Sequence, residues 1–237
     1  YAAAAFVLLT ALATSLLNVY APAPRLAQSS SAARSEGESP LKQLAMLLRT
    51  RELAIVMLGI FAVYASGGLY DATFGLHLSE RFGFGAAKTS LTFAVEPATY
   101  LLLLLGLAPL VCGDADDIKT KRRLSAIGVA LTGASLPLLT LGGSMKSVLV
   151  STVLHGVGYA CKDIIGHGLL ADLVDAHGVG SYAMIFSLAD CADSAGYIFG
   201  PLVGLSLCRA LRSRTAGLLL VGMACAALAP ALLTIQG

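Results

Sequence analysis

The chain has 237 residues, of which 57% are hydrophobic and only 13% charged, with a formal net charge of +2. Soluble domains carry about 25% charged residues, so this chain lacks the charge to cover a soluble surface and reads as an all-α polytopic membrane protein. The small net charge and the lack of Trp give no basis for a nucleic-acid partner. The five cysteines form neither a C-x-x-C pair nor a His/Cys metal spacing, so no disulfide framework, metal or cofactor is expected.

A bilayer core of about 30 Å takes about 20 apolar residues per helix. In chain order, the segments near 2–22, 53–76, 87–112, 124–143, 146–170, 179–208 and 215–235 meet that standard. The chain starts at Tyr1 inside the first of them, with the expectation that it is part of a longer protein. The linker, 23–51, lies within the stretch "APAPRLAQSSSAARSEGESP" (21–40), flexible and polar, and the amphipathic "LKQLAMLLRTRE" (41–52) that follows it, which would rest on the membrane surface. Arg25, Arg34, Lys42, Arg49 and Arg51 in the linker and Lys119, Lys121, Arg122 and Arg123 after the third segment put both regions on the cytoplasmic side. Arg209, Arg212 and Arg214 run against that orientation and would face outward.

The charges inside the apolar segments carry the chemistry, because an ionisable group in a bilayer must face a partner or water. They are Asp71 in the second segment, Glu96 in the third, Lys162 and Asp163 in the fifth, and Asp190 and Asp193 in the sixth. Asp190 and Asp193 are i,i+3 neighbours and Tyr197 follows one turn after Asp193, so the three are expected on one inward face. A carboxylate there can pair with a cationic solute when ionised or carry a proton when neutral, as a proton-coupled carrier requires. Lys162 either snorkels or pairs across helices, and diverges in direction from Asp163 by about 100°. His155 and His167 are too far apart for i,i+4 metal ligation and read as helix-interface histidines. Gly196, Gly200 and Gly204 recur every four residues and give a smooth face for close helix packing, with Pro201 inside it.

One segment, a long polar linker and six further segments with short loops form a pattern: the last helix of one half (1–22), a cytoplasmic linker (23–51) and a complete six-helix half (52–237). Two such halves with the solute between them make the architecture of the major facilitator superfamily. Within it, "GLLADLVDAHGVGSYAMIFSLADCADSAGYIFGPLVG" resembles the tenth-to-eleventh helix region of vesicular amine transporters and fungal drug:proton antiporters. The likeness runs through Leu173-Val174-Asp175, Tyr182, Ala189-Asp190, Gly196-Tyr197, Gly200-Pro201 and Gly204, and Phe93 to Tyr100 matches the spacing of the eighth helix. It covers roughly 90–204.

The resemblance implies that Asp163 and Asp190 serve proton coupling and amine recognition, with Tyr197 and Tyr100 lining the cavity. The family's seventh-helix glutamate falls at Tyr70, with Asp71 one position away as a substitute. Asp193 has no counterpart, and its candidacy rests on the local pattern. The loop "CGDADDIKTKRR" is similar to the superfamily's Gly-x-x-x-Asp-Arg-x-Gly-Arg-Arg motif at Asp117, Lys121, Arg122 and Arg123, with Thr120 in place of the internal glycine. The expected activity is proton-coupled antiport of a small organic solute, cationic or not, by alternating access across the plasma membrane or an acidic organelle. The expected partners are the solute, protons, the lipid bilayer and the opposite six-helix half. Two alternatives stand beside it. One is a transport-incompetent half. The other is an intramembrane aspartyl protease, for which Tyr70-Asp71, Gly113-Asp114 and Pro230-Ala231-Leu232 occur in order, although Val111 replaces a required glycine.

Overall fold

A computed structural model describes residues 50–111, 118–177 and 182–234, with the side chains of 107–111 and 177 excluded. The expected first helix, almost all of the linker, Asp117 and the Gly113-Asp114 pair lie outside the described residues. What is described is helical: α1 (Arg51–Phe82), α2 (Ala86–Phe93), α3 (Val95–Val111), α4 (Ile118–Leu141), α5 (Met145–His177), α6 (Tyr182–Ala210), α7 (Arg214–Ala226) and α8 (Ala229–Leu233). Among the described residues six stretches are long and apolar enough to cross a membrane, with α2 and α3 jointly forming one and α7 and α8 another.

Proline chemistry explains where helices break and where they do not. A proline removes the N–H that would bond the carbonyl four residues earlier, and its ring crowds that carbonyl. Pro97 does so to Phe93, the last residue of α2, and Pro230 to Ala226, the last residue of α7. The third and seventh apolar segments, expected as single helices, are therefore each interrupted. Pro137 and Pro201 instead stay inside α4 and α6. In both cases the freed carbonyl faces a glycine on a neighbouring helix. A Cβ on Gly222 of α7 would lie 2.5 Å from the Gly133 oxygen, and one on Gly68 of α1 would lie 2.6 Å from the Tyr197 oxygen. The missing side chains let the backbones close over the proline kinks.

Helix α1 lies at the centre. It packs most extensively on α6, while α4 packs on α5 and α7, and α3 on α5. The Gly196/Gly200/Gly204 face of α6 supplies the α1 contact: added Cβ atoms would strike the Phe61 carbonyl, the Ala65 carbonyl and the Leu69 side chain, respectively. One apolar cluster joins Val56, Ile60 and Val63 to Leu169, Leu173 and Ile185. A second joins Leu69, Phe74 and Leu78 to Leu136, Leu139 and Leu218. Helix α1 ends at Gly83 in the left-handed conformation (φ 64°), where its N–H reaches the Ser79 carbonyl and that of Phe84 reaches Leu78.

The arginines that contradict the charge bias have a local explanation in part. Arg214 donates to both carboxylate oxygens of Glu80 at 2.7 and 3.0 Å, so one of the three is neutralised at the end of α1. At the start of α4, Lys121 binds both oxygens of Asp172 at 2.9 and 3.1 Å, whereas Arg123 is exposed. Arg122 beside them is partly buried.

Candidate functional site

Helix α5 carries a stripe of polar residues four apart: His155, Tyr159, Asp163 and His167. An interval of four advances a helix by about 400°, so the stripe stays on one side over three turns. Helices α1, α3 and α6 each bring polar side chains to it, and two connected groups result.

The first group surrounds Asp163. Tyr64 from α1 donates to its Oδ1 at 3.2 Å, and Tyr100 from α3 donates to its Oδ2 at 2.6 Å. His167 Nδ1 lies 3.5 Å from Oδ1 and 2.7 Å from the Asp163 carbonyl, the latter a bond that its N–H can donate. Lys162, only 1% exposed, reaches across to Asp193 of α6, with Nζ 3.5 Å from Oδ1. The same ammonium sits 4.5 Å from the centre of the Tyr64 ring, a cation–π contact. Lys162 and Asp163 diverge along α5, yet both arrive at Tyr64, one at its ring and the other at its hydroxyl. Asp163, His167 and Asp193 bring their ligand atoms within 4.8 Å of one another, close enough to surround a cation.

The second group lies about two turns further along α1, at Tyr70 and Asp71. Tyr197 donates to Asp71 in a very short hydrogen bond. Across from it, His155 is fully buried, stacked on Tyr70 with centroids 4.3 Å apart, and its Nε2 lies 3.6 Å from Glu96 Oε1. Tyr70, expected at the position of a family glutamate, instead shares a hydrogen bond with Thr152 at 2.9 Å. Tyr159 links the groups. Its ring is 5.0 Å from Tyr64 and 5.4 Å from His155, and its buried hydroxyl has no hydrogen-bond partner.

The sequence pattern expects Asp190 beside Asp163, and the structure places Asp193 there instead. Asp190 is exposed and makes no hydrogen bond or ion pair among the described residues. The reason is rotational: residues three apart differ by about 60° on a helix, enough to turn one toward α5 and the other outward. Tyr197, seven residues and about 20° from Asp190 on α6, reaches Asp71 of α1. Tyr64, Tyr159 and Asp172 were not singled out by sequence. Tyr64 had a usable signal, since it stands seven residues before Asp71 on the same face of α1. Asp175, which the motif includes, accepts from Tyr182, and it is Asp172 one turn earlier that pairs with Lys121.

Apart from Lys121, these side chains come from α1, α3, α5 and α6. Helices α4 and α7 back the bundle, and among the described residues they supply Ser135 to the His155 surroundings. Four helices hold the polar groups and two support them. The chain is 24% identical over 156 residues to an uncharacterized MFS-type transporter of Schizosaccharomyces pombe, a match that covers 65% of this chain and 35% of the relative. The chain thus spans about a third of that protein's length in the aligned part. The model of the Major Facilitator Superfamily matches residues 56–236, more than three quarters of the chain, and this multi-pass integral membrane protein therefore belongs to the Major Facilitator Superfamily.

Proposed function

We propose that the chain is the C-terminal half of a secondary active transporter that exchanges a small organic cation for protons by alternating access. The observation that carries this reading is the charge balance of the Asp163 group. Two carboxylates, Asp163 and Asp193, face one ammonium, Lys162, with two phenols donating to Asp163. With the His167 imidazole beside Asp163 neutral, one negative charge is left over inside a membrane bundle, where an uncompensated charge is costly. A proton or a cationic solute can cancel it, but not both at once, and that exclusion is what couples their movements.

In this reading Asp163 is the primary binding carboxylate and Tyr100 and Tyr64 orient it. Asp193 is held in reserve by Lys162, and Asp71 with Tyr197 forms a further polar contact along the pathway. Asp190 meets the opposite half. The Gly196/Gly200/Gly204 face with Pro201 is the surface on which α6 shifts against α1. Exchange against protons suits a plasma membrane or an acidic organelle equally. The test is transport by the full-length protein in liposomes, with a fluorescent organic cation and an imposed proton gradient. Proton-driven exchange is expected in the wild type and lost in Asp163→Asn. Exchange that persists unchanged in both Asp163→Asn and Asp193→Asn would overturn the reading.

A further inference from the structure

We propose that Glu96 and His155 share one proton at a dedicated proton site, set apart from the Asp163 group that meets the solute. The role of that proton in coupling rests on the transport reading above; its presence does not. His155 lies between Tyr70 of α1, Ser135 of α4 and Glu96 of α3, with no exposure to solvent. Its hydrogen pattern follows from Ser135. That hydroxyl has one hydrogen and donates it to the Thr132 carbonyl at 2.7 Å, the shorter of its two contacts. Ser135 Oγ then offers His155 only lone pairs, so Nδ1, at 2.9 Å, carries the hydrogen and donates.

A neutral imidazole with its hydrogen on Nδ1 has a bare lone pair on Nε2. This nitrogen faces Glu96 Oε1 at 3.6 Å and has no hydrogen bond, and the buried Glu96 Oε2 has none either. Two acceptors facing each other repel, and the buried Oε2 of an ionised carboxylate without a donor carries a desolvation cost, although the Glu96 side chain keeps 15% exposure. A single added proton resolves both problems. On Glu96 it is donated to Nε2; on His155 it makes an ion pair with the carboxylate. The ionisable groups close enough to act on Glu96 are Asp71 and Tyr70 of α1, Tyr159 of α5 and Tyr197 of α6. None brings a positive charge that could replace the proton. Tyr159, one turn from both His155 and Asp163, connects this site to the solute group.

Two measurements on the full-length protein test the proposal. The chain has only four histidines, so nitrogen-15 histidine spectra in lipid bilayers can be assigned to His155 by difference from His155→Gln. The expected spectrum has a protonated Nδ1 and an Nε2 engaged with a shared proton. A bare Nδ1 with the hydrogen on Nε2 would overturn the proposal. The second measurement uses Glu96→Gln, whose amide can donate to Nε2 but cannot release a proton. Proton-driven exchange should fall by about tenfold or more, within the usual range of site-to-site coupling, while solute counterflow at equal pH stays within about twofold. Unchanged proton-driven exchange, or an equal loss of both activities, would also overturn it. If the wild type itself shows no proton-driven exchange, the transport reading fails, and the nitrogen spectra alone decide whether the proton is there.

Discussion

Replacing Lys162 with methionine removes the one ammonium in the Asp163 group and nearly preserves its volume. At 3.5 Å from Asp193, the pair attracts by about 5 kcal/mol at an effective dielectric of about 20. Most of that offsets the desolvation of an ammonium that is 1% exposed. Deleting one partner is different, because it strands the other charge, which typically costs about 3–5 kcal/mol. The Asp193 side chain retains 16% exposure, so Lys162→Met should fall near the low end, about 3 kcal/mol. Asp193→Asn strands the more deeply buried Lys162 and should cost at least as much. The double variant removes both partners and keeps the net charge of the wild-type group, so it should lie within about 1 kcal/mol of the wild type. Thermal unfolding of the purified protein reads this directly, since about 2–4 °C accompanies each kcal/mol in a chain of this size. Additive losses in the double variant, to within about 0.5 kcal/mol, would show that the two residues do not act as a pair.

Two further outcomes follow from packing and exposure. Gly200→Ala drives a methyl into the Ala65 backbone carbonyl, which cannot swing aside, and should cost about 2–3 kcal/mol; Gly204→Ala meets only the Leu69 side chain, which can rotate, and the reverse ranking in unfolding midpoints would contradict the α1–α6 packing. Lys121→Met should destabilise by about 2 kcal/mol through loss of its two bonds to Asp172, whereas Arg214→Gln, whose partner Glu80 is exposed, should leave the midpoint near the wild type, a contrast measured in the same assay at low and high salt.

Much of the helical layout is legible from hydropathy, because a bilayer demands long apolar runs whatever the tertiary contacts. Pro97 and Pro230 could also have been read as helix breaks. What separates them from Pro137 and Pro201 is not local: the second pair is tolerated because Gly222 and Gly68 lie opposite on other helices. The site was legible in kind but not in detail. Asp163 stands out as an intramembrane charge and the family resemblance adds Tyr100, which donates to Asp163 in the structure. The choice between Asp190 and Asp193 depends on how α6 is rotated against α1, which the glycine face sets through contacts with α1 that lie far off in sequence. His155 and His167 do not stand alone. Read with Tyr159 and Asp163 at intervals of four, they mark the polar stripe of α5 directly.

The exposed acid on α6 gives the last step. Asp190 stands in line with Ser187 and Ser194, both exposed, and one turn further the same line continues to Ile198 and then Leu202, 61% and 60% exposed. One side of one helix is thus polar for two turns and apolar for the next two. Lipid would accept the second part but not the first, because a carboxylate with no partner among the described residues needs water or a countercharge. Under the transport reading, that requirement falls on the wall that closes over α6: it must bring water or a donor to Asp190 and an apolar surface to Ile198 and Leu202. A single helix then has a wet end and a dry end against the opposite half, and rocking between them exposes Asp163 to one side of the membrane without opening it to both.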